Sequence, residues 1–215
     1  MDLAYVPRDP RQPTPRPPLL VLLHGIGADE RDLLPLAEAL DPRFLCASVR
    51  APYEAMPMGY AWYAIDWRTS PPTHDGAQAE QSREALCALL PELTARHRTD
   101  PARTFLLGFS QGAAMALAVA LTRPDLVRGA VVHSGRILPG LEARIAPPEA
   151  LARLEVLALH GLQDEVLPVE RGREIRELLA PRLGERLTYR EHDAGHFVTQ
   201  ATLADAAAWL GARAG

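Results

Sequence analysis

The stretch Gly108-Phe109-Ser110-Gln111-Gly112 carries the clearest chemical signal in the sequence. A hydrophobic run precedes it and an alanine-rich run follows it, so the pattern predicts a sharp turn from a strand into a helix. Glycines on both sides of a serine relieve crowding at such a turn and leave the hydroxyl exposed. The spacing therefore predicts that Ser110 is a nucleophile. The alternative is a structural turn built from small residues.

A serine hydroxyl needs a nearby base before it can act as a nucleophile. His196 lies in a loop expected after the last strand, with a glycine before it and a helix after it, and it is the predicted base. His192, four residues earlier, is its rival. His24, His133 and His160 also end predicted strands, and each is more simply explained as a structural histidine at the rim of the sheet.

An acid must hold the base in one tautomer. Asp164 follows a predicted strand and its loop, which is the place expected for this acid. The chain order Ser110, Asp164, His196 is the order that α/β hydrolases show. Glu165 is the adjacent alternative, and Asp193 is less favoured because it lies only three residues from the histidine that it would orient.

Two backbone N–H groups are expected to complete this chemistry by binding the negative oxygen of the transition state. One belongs to Gln111, directly after the nucleophile at a helix start. The other belongs to Ile26, in the loop that follows His24. The loss of one such donor typically raises the barrier by about 3 kcal/mol. No metal is expected, because the strand-to-loop context of His192 and His196 argues against one helix face.

The elements that must position these residues follow from apolar runs that are continuous rather than alternating. Such runs are typical of parallel strands buried on both faces of a sheet. They lie at Leu19–Leu23, Phe44–Val49, Thr104–Phe109, Gly129–His133 and Val156–His160. An edge strand is expected before them at Leu3–Val6, and a short last strand after them at Arg186–Glu191.

Segments with helical spacing lie between the strands. They are Asp32–Leu40, Gln78–Arg96, Gln111–Thr122, Val169–Leu179 and Thr199–Ala212. Strand and helix alternate along the chain, so the predicted fold class is α/β, with a mostly parallel central sheet flanked by helices on both faces. With 215 residues, the chain fits a single domain, residues 1–215.

The composition excludes several kinds of function. The formal net charge of −4 gives no basic field for nucleic acid or an anionic membrane. All 23 basic residues are arginine, so no lysine is available for a Schiff base or a phosphate-binding loop.

No apolar stretch approaches the roughly 18 residues that cross a bilayer, and the N-terminus does not resemble a signal peptide. A cytoplasmic protein is expected, with Cys46 and Cys87 as buried free thiols.

Residues 50–73 break the alternation of strand and helix. The segment has no clear period, is too long for an ordinary connection and is rich in aromatic side chains. Long irregular segments with this much apolar surface tend to form lids or binding walls. We therefore expect a lid-like segment in which Met58, Tyr60 and Trp62 line an acyl pocket. The alternative is a loop that packs as a satellite core.

Together, LHGIGADERDLLPL, GFSQGAAMAL, HSGRILP, HGLQDEVLPV and AGHF resemble the phospholipase/carboxylesterase family of serine hydrolases, relatives of the acyl-protein thioesterases. The resemblance covers roughly residues 18–210. It implies an α/β-hydrolase fold, esterase activity on small carboxylic esters, no cofactor and often a dimer. Carried across by position, the family's nucleophile, acid and base fall on Ser110, Asp164 and His196, and its oxyanion donors on Ile26 and Gln111.

Two departures from the family pattern fall where substrate would be held. The family commonly has a tryptophan, an aromatic residue and an aspartate in succession, whereas here Ala64 and Ile65 separate Tyr63 from Asp66. In HSGR, a histidine replaces a more usual apolar residue before the serine. The resemblance therefore does not identify the substrate.

The sequence predicts a serine carboxylesterase that hydrolyses small to medium acyl esters through an acyl-enzyme on Ser110. One alternative is an acyl thioesterase or lysophospholipase with the same triad. Another is a non-catalytic ligand-binding protein on a hydrolase fold. The expected partner is a small-molecule ester, with no nucleic acid and no stable membrane insertion, and a homodimer is a further expectation.

Overall fold

The computed structural model of the chain describes residues 1–70 and 72–215. Eleven strands occur among these residues. In chain order they are β1 (Tyr5–Arg8), β2 (Leu19–Leu23), β3 (Leu45–Val49), β4 (Tyr53–Glu54), β5 (Tyr60–Ala61), β6 (Ile65–Asp66), β7 (Thr73–His74), β8 (Thr104–Phe109), β9 (Gly129–His133), β10 (Glu155–Gly161) and β11 (Leu187–His192).

Seven of the strands form one sheet in the order β1-β3-β2-β8-β9-β10-β11. Neighbouring strands are parallel except β1 and β3, which pair antiparallel. Every residue of β2, β3 and β9 is buried, as continuous apolar runs require. The predicted mostly parallel central sheet is confirmed.

The strand bounds follow the prediction most closely at the centre of the sheet. β2, β8 and β9 have the predicted bounds. The edge strand was predicted at Leu3–Val6 and lies at Tyr5–Arg8, because its bounds depend on pairing with Cys46–Val49 of β3 rather than on its own composition. Pro7 is tolerated there because an edge strand leaves one side of its backbone unpaired.

Four α-helices occur in the described part of the chain: α1 (Gly76–His97), α2 (Gln111–Thr122), α3 (Glu170–Leu183) and α4 (Gln200–Gly211). The side chain of Asp75 caps the start of α1, and the Thr199 side chain caps α4. The predicted helix at Asp32–Leu40 is wrong, since only a 3-10 turn forms there, at Leu34–Glu38. A proline fits only the first turn of a helix, so Pro35 restricts where a helix can begin.

Alternate side chains of each strand enter two separate cores. Leu19, Val21 and Leu23 of β2 pack on one face of the sheet with residues of α1, α2 and α3. Leu20 and Leu22 pack on the other face with α4 and the 3-10 turn. Helices therefore flank both faces of the sheet, as predicted. Helix α2 is buried at every position except its last, so its N-terminus is held firmly against the sheet.

In the segment predicted to be lid-like and the adjoining His74, two short antiparallel pairs form, β4 with β5 and β6 with β7. Pro71 belongs to this segment and lies outside the described residues. Cys46 and Cys87 are buried free thiols, as predicted, and burial raises the pKa of Cys46 to about 11. Within the described ranges, every helix is too short or too polar to cross a membrane.

Candidate active site

Ser110 lies at the turn between β8 and α2 with φ 53° and ψ −115°, a conformation that residues other than glycine rarely adopt. A Cβ atom on Gly108 would lie 2.3 Å from the carbonyl oxygen of Gly112, and one on Gly112 would lie 2.1 Å from that of Leu23. Only glycine fits at both positions. The Ser110 N–H donates a hydrogen bond of 2.9 Å to the His133 carbonyl, which fixes the turn against β9.

Ser110, His196 and Asp164 form one chain of hydrogen bonds. His196 Nε2 lies 2.8 Å from Ser110 Oγ, and His196 Nδ1 lies 2.7 Å from Asp164 Oδ2. A carboxylate only accepts, so Nδ1 carries the proton and the neutral Nε2 can accept from the serine hydroxyl. The three residues follow β8, β10 and β11, whose carboxyl ends meet at one edge of the sheet. The structure thus brings together the three residues predicted from their order in the chain.

Asp164 is the most enclosed member of this chain, with a side chain that is 0% exposed. Its Oδ1 accepts from the N–H groups of Val166 at 3.0 Å and Leu167 at 2.8 Å. Burial alone would raise the pKa of Asp164, but the hydrogen bonds from His196 and from the Leu167 N–H outweigh it, so the pKa lies below its ordinary value. The carboxylate is therefore ionised at neutral pH and fixes the imidazole tautomer.

The rivals that the sequence left open lie elsewhere. Glu165 is exposed, and Asp193 is exposed and accepts a hydrogen bond from the Gln163 side chain. His192 Nε2 lies 3.0 Å from Asp205 Oδ2 on α4. None of these groups takes part in the hydrogen-bond chain that ends at the serine hydroxyl.

The remaining strand-end histidines are buried within the structure. His24 Nε2 accepts from the Ala51 N–H at 3.0 Å, and burial lowers the His24 pKa. His160 Nε2 lies 2.8 Å from the carbonyl oxygen of Leu167. Burial lowers the pKa of His133 to about 4, and neither of its ring nitrogens has a hydrogen-bond partner among the described residues. The burial of all three rings, and the hydrogen bonds of His24 and His160, are what structural histidines at the rim of the sheet would show.

Ile26, Ser110 and Gln111 line the same cavity, and the oxyanion donors expected from the sequence are the backbone N–H groups of Ile26 and Gln111. Neither donates to an acceptor among the described residues. A Cβ atom on Gly25 would lie 3.4 Å from Ser110 Cβ, so the loop that carries Ile26 packs directly against the serine. Helix α2 begins at Gln111, and the first N–H groups of a helix are free to bind an anion.

A cavity of about 280 Å3 opens beside Ser110. Most of its walls are apolar, and no carboxylate lies among the described lining residues. Besides Ser110 and Gln111, the lining consists of Ile26 after β2, Tyr63, Ile65, Trp67, Pro72 and His74 from the aromatic segment, Arg136 after β9, and Val166, Leu167, Pro168 and Arg171 after β10.

The predicted pocket residues Met58, Tyr60 and Trp62 are wrong in detail, because they are not among the lining residues. Trp62 is 0% exposed, and its indole N–H donates to the His24 carbonyl at 2.9 Å. Tyr60 lies beneath the Arg50 guanidinium, 4.7 Å from the ring centre. Met58 is 72% exposed, in the connection between β4 and β5.

The physical reason for this error is that the aromatic segment folds into two hairpins. The β6–β7 hairpin faces the cavity, whereas the β4–β5 hairpin packs beside the loop after β2, where Ala28 forms a bridge with Tyr60. Tyr63 and Trp67 line the cavity but were missed, because in the sequence they are aromatic residues of the same segment as Trp62. The spacing of the residues does not show which hairpin faces the cavity. Arg136 was also missed, and its position just after a predicted strand is the only pattern that points to the site.

Within the described ranges, no group of three or more histidine, cysteine, aspartate or glutamate side chains is arranged to hold a metal ion. The polar side chains that the structure does bring together here are the Ser110 hydroxyl, the His196 imidazole and the Asp164 carboxylate.

The sheet order, the strained serine turn and the serine-histidine-aspartate hydrogen bonds define an α/β hydrolase. A family model described as Phospholipase/Carboxylesterase matches residues 9–212, and the chain belongs to this family of hydrolases. The solved structure of esterase PE8 is 30% identical, covers 99% of this chain and 100% of its own, and superposes with a TM-score of 0.83.

Two further solved structures share the fold at lower identity. The Bacillus cereus carboxylesterase is 24% identical, with 98% of this chain and 94% of that chain covered and a TM-score of 0.82. Zea mays acyl-protein thioesterase 2 is 22% identical, with 99% of each chain covered and a TM-score of 0.80. At these identities the likeness bears on the architecture and not on the substrate.

Proposed function

We propose that this protein is a serine carboxylesterase that hydrolyses small to medium acyl esters through an acyl-enzyme on Ser110. The observation that carries the proposal is the unbroken hydrogen-bond chain from the Ser110 hydroxyl through His196 to Asp164. Each member is held by its own surroundings. A ligand-binding protein without turnover has no need of all three.

In the first step, His196 Nε2 takes the hydroxyl proton as Ser110 Oγ attacks the ester carbonyl. The carbonyl oxygen becomes negative and is bound by the N–H groups of Ile26 and Gln111, which have no competing acceptor among the described residues. Asp164 accepts from Nδ1–H throughout and stabilises the imidazolium. Collapse of the tetrahedral intermediate passes the proton from Nε2 to the leaving alcohol.

In the second step, water attacks the acyl-enzyme and gives its proton to the same Nε2 atom. The oxygen of the second intermediate occupies the same pair of N–H donors. Release of the acid returns the proton to Ser110 Oγ. Both steps use His196 as the base and the same two N–H groups as the anion site, so neither step requires a rearrangement of these groups.

The size and the apolar walls of the cavity beside Ser110 are suited to an acyl group of limited length. Its volume is about 280 Å3, and Ile65, Trp67, Val166 and Leu167 supply apolar walls. Burial of a CH₂ group contributes roughly 0.8 kcal/mol. We therefore expect kcat/KM to rise with acyl length until the cavity is full.

The test combines covalent labelling with turnover. A fluorophosphonate probe should label the wild-type protein at Ser110 and should not label Ser110→Ala. Asp164→Asn should lower kcat on 4-nitrophenyl butyrate by about four orders of magnitude, because a neutral amide neither stabilises the imidazolium nor enforces the productive imidazole tautomer. Asp193→Asn is the matched control, since this exposed carboxylate contacts only Gln163 among the described side chains, and it should retain wild-type turnover.

Near-normal turnover by Ser110→Ala, or equal losses in the two aspartate variants, would contradict the mechanism. Matched oxygen and thiol esters, tested side by side, distinguish a carboxylesterase from a thioesterase with the same triad. The cytoplasmic location and the homodimer stay predictions.

A further inference from the structure

Arg136 lines the cavity beside Ser110 with an unbalanced positive charge. Its Nε atom is buried and has no hydrogen-bond partner among the described residues. The other arginines of the described chain either meet a carboxylate, carbonyl, hydroxyl or aromatic ring, or extend into solvent. A partly buried guanidinium without a partner is costly, because it loses hydration and gains no counter-charge.

The backbone holds Arg136 close to the nucleophile. The His133 carbonyl accepts from the Ser110 N–H at 2.9 Å, and Arg136 follows only three residues later, a span of roughly 10 Å or less. The intervening Gly135 is pressed against α2, since a Cβ atom there would lie 2.9 Å from Ala113 Cβ. The first turn of α2 therefore fixes the position of this arginine relative to Ser110.

The other polar groups of the cavity do not neutralise Arg136. Arg171 already pairs with Glu174 at 2.7 Å. Burial lowers the pKa of His74, and the charge of Arg136 lowers it further, so this imidazole is neutral at pH 7. Burial raises the pKa of Tyr63 to about 12, which keeps its hydroxyl protonated and able to donate. The cavity thus offers one unpaired cation and a neutral donor within largely apolar walls.

We propose that Arg136 binds a carboxylate of the substrate, so that the preferred substrates are esters that carry a carboxylate a few bonds from the scissile carbonyl. Monoesters of short dicarboxylic acids are the simplest members of this class. A guanidinium binds a carboxylate through two parallel hydrogen bonds, and the enclosed setting strengthens them. This inference rests on the proposed esterase function and adds a substrate class to it.

The test compares esters of equal shape that differ in charge. On the acyl side, the 4-nitrophenyl monoester of glutarate is compared with 4-nitrophenyl 5-methylhexanoate, in which an isopropyl group replaces the carboxylate. On the alcohol side, the butyrate ester of 4-hydroxybutanoate is compared with the butyrate ester of 4-methylpentan-1-ol. The pair in which wild type prefers the anion shows which part of the ester lies against Arg136.

We expect Arg136→Gln to lower the anionic-to-neutral ratio of kcat/KM by between about tenfold and a hundredfold, the range of a charge-assisted hydrogen bond. The neutral ester is the reference, so a loss of turnover that is common to both esters cancels in this ratio. Arg136→Lys should keep part of the preference, because it keeps the charge and loses the planar fork. Arg153→Gln is the control for charge alone, since Arg153 is exposed and lies two residues before β10, at the end of the sheet opposite the site.

An unchanged ratio in Arg136→Gln, or an equal fall in Arg153→Gln, would overturn the proposal. A binding measurement separates this result from failure of the esterase function. Glutarate should bind to Ser110→Ala by calorimetry and should bind at least tenfold more weakly when Arg136→Gln is added. This result would support the anion site even if no ester were hydrolysed, and equal affinity in the two variants would refute it.

Discussion

The backbone of Gly112 lies so close to that of Leu23 that a Cβ atom on Gly112 would be 2.1 Å from the Leu23 carbonyl oxygen. This contact joins the first turn of α2 to the end of β2, and it brings the serine turn beside the loop that carries Ile26. We expect Gly112→Ala to lower the free energy of unfolding by about 3 kcal/mol or more, because the Leu23 carbonyl oxygen belongs to the backbone, which would have to shift. Urea denaturation measures this loss.

Gly76 provides the matched control for that substitution. It is the first residue of α1, and a Cβ atom there would meet nothing within 4 Å. Alanine is favoured over glycine in a helix, so Gly76→Ala should leave stability unchanged or raise it by up to about 1 kcal/mol. Unfolding of the two variants at the same urea concentration would contradict the prediction, since it would show that a Cβ atom at Gly112 does not destabilise the fold.

A second prediction concerns acid stability and the pair formed by Glu30 and Arg50. The Glu30 side chain is 7% exposed, and its two oxygens accept from Arg50 at 2.6 Å each. The hydrogen bonds from Arg50 lower the pKa of Glu30 from 4.5 to about 2. Because the folded pKa is depressed, the stabilisation is present above pH 4.5 and is lost as the pH falls toward about 2.

Glu30→Gln should therefore cost about 2 kcal/mol at pH 7, and the difference from wild type should shrink below pH 4.5. Glu174→Gln is the control, because the pair that Glu174 forms with Arg171 is exposed on both sides and contributes little. Urea denaturation of wild type, Glu30→Gln and Glu174→Gln at pH 7, 4 and 3 gives the free energy of unfolding of each protein as a function of pH. A gap between Glu30→Gln and wild type that stays constant over this range would contradict the assignment.

The central strands and the three residues of the hydrogen-bond chain could be predicted because each depends on local sequence. The strands β2, β8 and β9 are buried on both faces, so their apolar runs have sharp ends. Ser110, Asp164 and His196 follow such strands, and the carboxyl ends of parallel strands meet at one edge. Local sequence patterns were therefore sufficient to predict that these three residues, distant in the chain, lie close together in the fold.

The walls of the cavity could not be predicted in the same way, because they depend on contacts between segments. Tyr63 and Trp62 are neighbours of the same chemical type, yet only Tyr63 lines the cavity. Gln111 decides part of this arrangement, since its side chain accepts from the Trp62 N–H and donates to the Tyr63 carbonyl, both at 2.7 Å. Aromatic content alone does not show which backbone groups will be held in this manner.

A third prediction concerns His133, which is buried with neither ring nitrogen paired among the described residues. Burial lowers its pKa from 6.5 to about 4. The unfolded chain therefore binds a proton first as the pH falls, so stability is lost between about pH 6.5 and pH 4. This window lies above the one for Glu30, and the two contributions can be separated.

Replacement of His133 by leucine should remove this part of the pH dependence, because an apolar side chain needs no partner there. We expect wild type to lose about 1–2 kcal/mol more than His133→Leu between pH 7 and pH 5. The quantity to compare is the change with pH, measured by urea denaturation, rather than the absolute stability of the variant. Parallel curves for the two proteins would refute the prediction.

The last prediction separates the two hairpins of the aromatic segment by their effect on acyl length. Trp67 lines the cavity and Met58 does not, although both side chains are largely exposed. Each buried CH₂ group contributes roughly 0.8 kcal/mol, or about a fourfold step in kcat/KM. Trp67→Ala should reduce this step for short esters and move the maximum to longer chains, because it opens the wall without filling the space. Met58→Ala should leave the profile of 4-nitrophenyl esters from acetate to decanoate unchanged, and an equal change in both variants would assign the β4–β5 hairpin to the pocket after all.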